Sequence, residues 1–134
     1  MKLTYPAIFA YKEKNNGYIV RVPDLPGCIT EGDSLANAID MAVDAASGWV
    51  LDELEDGKEA PASTDISKIK HDKNEFSTIL VLDMDTYAEK YGKKAIRKNT
   101  TIPAWLSTFG DKMHVNYSKL LTDALTELYM NTVH

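Results

Sequence analysis

The sequence predicts an α+β protein: a small antiparallel-type sheet with a helix on one face, in the order β-β-β-α-β, followed by a strand–helix–helix unit that pairs with a second copy. Two patterns predict it. Short aromatic and β-branched runs separated by Gly, Pro and Asn turns open the chain, and one long apolar stripe at helical spacing follows them. Near the end, from Lys93 to Tyr129, an alternating run passes through a proline into two amphipathic segments.

Residues 3–11, LTYPAIFAY, favour a strand, and Pro6 fits an edge or a bulge because it has no N–H to give a ladder. Tyr18 to Val22 is a second strand after EKNNG, whose Asn16–Gly17 pair tolerates positive φ and closes a hairpin. Pro23 and Pro26 punctuate VPDLPG, and Cys28 to Glu31 is a short third strand running into Gly32. Asp33 or Ser34 caps a helix in which Leu35, Ala38, Ile39, Ala42, Ala46, Trp49, Val50 and Leu54 form the stripe. Asp40, Asp44, Asp52 and Glu53 lie largely outside that stripe, and the helix ends near Gly57 and Pro61. Residues 57–76 are polar and irregular and read as a surface loop; STILVLDMD reads as a buried strand. Asp83 or Asp85 caps a short linking helix that ends at Gly92.

In the tail, Ile96, Thr100 and Ile102 share one face, with Lys98 as the odd member, while Arg97, Asn99 and Thr101 share the other. Pro103 stops this strand and opens a helix in which Ile102, Leu106, Phe109 and Met113 recur at three- and four-residue steps. Asn116 is placed to cap a second helix, with Tyr117, Leu120, Leu121, Ala124, Leu125 and Leu128 as its stripe. A lone strand exposes both edges, and roughly 40 residues bury too little apolar area to fold alone. The unit is therefore expected to dimerise through Ile96, Thr100, Ile102, Trp105, Leu121 and Leu125. Two such strands make an antiparallel ribbon that fits the major groove of B-DNA, with Arg97, Asn99 and Thr101 toward the base edges. Lys93, Lys94 and Lys98 add phosphate attraction, and Ser118 with the free amides opening the second helix suits a phosphate oxygen. The same three polar residues would equally serve a solvated edge strand whose charge prevents aggregation.

Charge divides the chain. Residues 1–90 hold nine basic against seventeen acidic residues, a net −8, and residues 91–134 hold six against three, a net +3, which together give −5. An acidic body suits a basic protein partner and a basic tail suits phosphate, although acids that merely solvate a helix account for many of the former. Cys28 is a single cysteine and forms no intrachain disulfide; His71, His114 and His134 are scattered and frame neither a zinc site nor a triad. No segment has the length and apolarity of a membrane span, and charge interrupts MKLTYPAIFAYKEK too early for a signal peptide, so a cytoplasmic protein is expected.

The wording RKNTTIPAWL, followed by VNYSKLLTDAL, resembles ribbon-helix-helix DNA-binding domains, the fold of the Arc and MetJ repressors, and more closely the C-terminal domain of HicB-type antitoxins. The body resembles the N-terminal domain of the same family, a truncated RNase H-like layer, through YIVRVPDLPGCITEGDSLANAIDMA: a strand, a D-L-P-G turn, a short strand and a helix opening in Asp-Ser-Leu. The resemblance spans nearly the whole chain in order. It implies a partial RNase H-like toxin-binding domain at 1–84, a linker helix at 85–92 and a ribbon-helix-helix DNA-binding and dimerisation domain at 93–134. It further implies that the first domain binds and blocks a HicA-type toxin, an mRNA endonuclease of double-stranded-RNA-binding fold that uses a histidine. The homodimer, with a tetramer left open, would bind double-stranded operator DNA and repress its own operon. Inhibition would place an acidic surface over a basic RNA site. The acidic helix surface and the D-L-P-G turn are the expected toxin contacts, with Asp24, Leu25 and Glu31 singled out, while Asp24 is also an ordinary turn residue between two prolines.

An active RNase H-like nuclease needs clustered carboxylates around two metal ions, with a leading acid on its first strand. LTYPAIFAY has none, and Asp24, Glu31, Asp83 and Asp85 are spread over turns and strand ends, so no catalysis, no metal and no cofactor are expected. The alternative is a solitary ribbon-helix-helix regulator whose first domain senses a ligand or mediates oligomers.

Overall fold

The computed structural model describes residues 1–14 and 16–132 and divides into two compact units, Met1–Lys94 and Ala95–His134. In the first, β1 (Lys2–Lys12), β2 (Gly17–Arg21), β3 (Ile29–Gly32) and β4 (Glu75–Asp83) form one sheet in the order β3-β2-β1-β4. Every neighbouring pair is antiparallel. The helix α1 (Leu35–Glu55) covers one face, so the expected α+β layer is the one found.

Register explains the core. Tyr5 sits opposite Leu80, Leu3 opposite Leu82 and Phe9 opposite Val20, so their side chains share a face. They meet Ala38, Ala42, Ala46 and Val50 of α1, spaced every four residues, and the three alanines bring the helix backbone close to the sheet. Tyr5, Phe9, Leu80 and Leu82 are all fully buried, and burying a side chain of that size contributes about 1.5–3 kcal/mol. Ser34, rather than Asp33, is the cap: its hydroxyl accepts the Asn37 N–H at 3.0 Å, and the Asn37 side chain accepts the Asp33 N–H at 3.0 Å. Beyond the last turn Gly57 takes φ 79°, with Lys58 N–H donating to Glu53 and Gly57 N–H to Leu54.

Two strands differ from expectation. β1 is central and runs without a bulge, yet its β2 ladder spans only Ile8 to Lys12, so at Pro6 the strand has a neighbour on one side. The strand read as buried, β4, is an edge: Leu80 and Leu82 face the core, but Ile79 and Val81 are exposed on the opposite face. In the hairpin Asn16 takes φ 52°, whereas Gly17 already belongs to β2, where a Cβ would meet the Gly32 carbonyl oxygen at 2.5 Å. Asn15 of that turn lies outside the described residues.

The helix α2 (Met84–Tyr91) is capped by Asp83, which accepts the Thr86 N–H at 3.3 Å, and ends at Gly92. Met84 is buried and Tyr87 and Ala88 pack on the core, so the helix expected as a linker is part of the first unit.

The second unit holds α3 (Ala104–Lys112) and α4 (Tyr117–Thr132). Pro103 is the residue before α3, with φ −56° and ψ 141°, and Asn116 caps α4 by accepting the Lys119 N–H at 3.1 Å. Residues 96–102, read as a strand, form no ladder within the chain. A strand is defined by a hydrogen-bonded neighbour, and the other elements of this unit are helices.

Candidate functional site

The tail supplies the first candidate surface. Lys98, Thr100, Ile102, Tyr117, Ser118 and Leu121 line a groove of about 350 Å³ along the start of α4. Lys98, Thr100 and Ile102 thus turn to the helix at alternate positions, and Arg97, Asn99 and Thr101, all exposed, are the residues between them. Lys98 therefore keeps company with the apolar face, as its parity requires, and the groove brings it together with Ser118. Lys93 and Lys94 belong to the other unit, where the Lys94 ammonium lies 3.8 Å from Asp56.

The apolar residues expected at a dimer contact are bare. Ile96 and Trp105 are each 71% exposed, Leu125 53%, and Ile102 and Leu121 are exposed as well. Among the described residues of this unit only Gly110 is buried. The helices hold each other through polar bonds instead: the Tyr117 hydroxyl reaches the Asp111 carboxylate at 2.7 Å and the Ser107 carbonyl at 3.2 Å. Tyr117 was read as apolar packing, and its ring does lie close to Gly110, where a Cβ would stand 2.9 Å from two ring carbons. The hydrogen bond to Asp111 raises the Tyr117 phenol above its ordinary value. After α3 the chain turns through His114 at φ 54°, with Val115 N–H donating to Gly110 and His114 N–H to Asp111.

The second candidate surface is on the body. Asp24 is engaged inside the unit: its carboxylate accepts the Thr64 N–H at 2.7 Å and the Thr64 hydroxyl at 2.6 Å. Leu25 is completely buried, so its side chain has nothing to offer a partner; the D-L-P-G turn points it into the core. Glu31 is exposed and paired with Lys12 at 2.6 Å, which holds its carboxyl below the ordinary range. The residues that sequence reasoning missed are Thr64, Arg21 and Glu75. Thr64 anchors the 57–76 connection, which is further tied by the Tyr5 hydroxyl to the Pro61 carbonyl at 2.6 Å and includes a single 3-10 turn, Ile66–Lys68. Arg21 of β2 reaches over β1 to Glu75 of β4 at 2.6 Å, on the face away from α1, and this bond is the main reason the Glu75 carboxyl is lowered. A polar residue at a loop or strand end carries no periodic signal, so neither contact was visible beforehand.

Among the described residues no three His, Cys, Asp or Glu side chains gather where a metal ion would need them. Burial raises the Cys28 thiol, which makes it a packing residue. His71 is exposed in the loop, and His134 lies outside the described residues. No helix described is long and apolar enough to cross a membrane.

The chain is 35% identical over 104 residues, 78% of its length and 76% of the relative's, to an uncharacterised 14.9 kDa protein from the rep–hol intergenic region of Haemophilus phage HP1. Its structure resembles a chain of a toxin–antitoxin complex from Streptococcus pneumoniae with a TM-score of 0.62 and 27% identity, over 95% of this chain and 99% of that one. The antitoxin HicB of Burkholderia pseudomallei shares the fold, with a TM-score of 0.54 at 20% identity over 97% and 98% of the two chains. Residues 5–124 match the family model of the HicB-like antitoxins of bacterial toxin–antitoxin systems. With the four-stranded antiparallel sheet, its covering helix and the helical tail all inside that match, the chain belongs to the HicB-like antitoxin family.

Proposed function

We propose that the chain is a non-enzymatic, cytoplasmic antitoxin that binds and neutralises a HicA-type mRNA endonuclease and represses its own operon by binding operator DNA. The observation that carries this reading is the near-complete coverage, at 27% identity, of a chain belonging to a toxin–antitoxin complex. In this reading residues 1–84 form the toxin-binding domain, extended by α2, and residues 93–134 the DNA-binding and dimerising one. The acidic α1 surface and Glu31 face a basic toxin, and Asp24 acts by fixing the turn and the connection beside it.

For the tail, the bare apolar residues are what a second copy would cover, because a unit with no buried side chain but a glycine has little to hold it folded alone. Pairing the 96–102 runs of two chains would satisfy their backbones and turn Arg97, Asn99 and Thr101 outward as a ribbon, with Lys98 and Ser118 at its margin. Co-expression with the neighbouring open reading frame, followed by co-purification and an RNA-cleavage assay of the partner alone and in complex, tests the first half. A basic partner that cleaves RNA only when this chain is removed supports it; no such partner counts against it. For the second half, Arg97→Ala with Asn99→Ala should abolish operator binding and leave toxin neutralisation intact. Loss of both in a folded, dimeric variant would refute the separation of the two surfaces.

A further inference from the structure

We propose that the free edge of β4 is a self-pairing surface: it adds antiparallel to β4 of a second copy about a two-fold axis at Leu80, joining two four-stranded sheets into one of eight strands. An edge strand presents a row of unpaired N–H and C=O groups, and natural edges are kept short, charged, kinked or covered. β4 uses none of these devices. It is nine residues long, EFSTILVLD, pairs with β1 without interruption from Glu75 to Asp83, and contains neither proline nor a basic residue. Its only charges are at its ends, where Glu75 is held by Arg21 and Asp83 caps α2. The other edge, β3, is four residues long and carries the Lys12–Glu31 pair. The 3-10 turn at Ile66–Lys68 lies against β4, but among the described residues its backbone bonds close on Asp65 and Ile66 and not on the strand.

A row of backbone donors and acceptors is complemented by another strand, and self-complementarity selects a second copy. The axis at Leu80 places Ile79 opposite the partner's Val81, and Val81 opposite the partner's Ile79. The side chains that are 40% and 53% exposed in the single chain then form one apolar patch on the face away from α1. Ser77 falls opposite the partner's Asp83, where its hydroxyl can donate to the carboxylate, and no two like charges face each other across the pair. The pairing is independent of the tail contact, so a chain using both would assemble beyond a dimer.

The test is the molar mass of the full chain by sedimentation or light scattering, beside that of Ile79→Lys with Val81→Lys, a variant of two exposed positions checked for folding by circular dichroism. The mass should fall by half. An unchanged mass overturns the proposal, and an unchanged mass with loss of co-purified toxin assigns this edge to the toxin instead. A fall to monomer keeps the β4 pairing and refutes self-association of the tail. Ile79→Cys with Val81→Cys gives an independent readout, because directly opposite strand residues approach within disulfide reach. Oxidation should yield a covalent dimer on a non-reducing gel; cross-linking no greater than that of a Ser67→Cys control would overturn the register.

Discussion

Single residues close the helices here, and two of them do the same job with different chemistry. Gly57 after α1 and His114 after α3 both adopt positive φ and both release the next two N–H groups to carbonyls of the last turn. A side chain in that conformation costs about 1–2 kcal/mol that glycine does not. His114→Gly should therefore raise the melting temperature of the tail at fixed protein concentration, an effect lost if the measurement shows no gain. Gly110 has the opposite constraint. Alanine would ordinarily favour a helix by about 1 kcal/mol, but here its Cβ would run into the Tyr117 ring and displace the hydroxyl from Asp111. Gly110→Ala should lower the melting temperature, and Tyr117→Phe should lower it less, since the ring fits and only the hydrogen bonds go. Asp24 shows why a site residue can be named correctly as a turn former and still be misjudged: the partner that engages it, Thr64, is forty positions away and sits in a stretch without pattern.

Elements with a period or a cap were legible in the sequence; those defined by a distant or external neighbour were not. Ser34, Asp83 and Asn116 each stand where a short polar side chain precedes an apolar stripe, and each accepts an N–H from the first helical turn. Asn116→Ala should cost about 1 kcal/mol, read as a lower midpoint in chemical denaturation. In contrast, STILVLDMD is apolar at every position from Ile79 to Leu82, which gives no sign of whether a strand lies inside a sheet or at its rim. Pro6 was a true signal with an incomplete meaning, because a central strand still has ends where one neighbour stops. The run at 96–102 alternates as a strand should, yet a strand's hydrogen bonds belong to a pair, so its state depends on a chain other than its own.

At the scale of the molecule, the charge division and the ion pairs set the response to solution conditions. Hydrogen bonds from Arg21 to Glu75, from Thr86 to Asp83 and from Lys12 to Glu31 lower these carboxyls in the folded chain. A lowered folded pKa means stability that is present above the ordinary carboxylate value and is lost as pH falls through the folded one. The chain should therefore lose stability on acidification below the ordinary values of 4.5 for glutamate and 3.8 for aspartate, and Glu75→Gln should flatten that limb of the profile. In the proposed operator complex the basic tail makes phosphate contacts, so affinity should fall steeply with added salt. Removing Lys98 should reduce the slope without changing which sequence is preferred, as measured by titration at several salt concentrations.

The two tryptophans fall one to each unit. Trp49 is half-buried on α1 with its indole N–H donating to the Pro26 carbonyl at 3.0 Å, whereas Trp105 is 71% exposed on α3. The chain is thus its own two-channel fluorimeter: Trp49→Phe leaves an emitter in water on the tail, and any partner that seats there announces itself as a blue shift, while Trp105→Phe leaves an emitter that reports on the body.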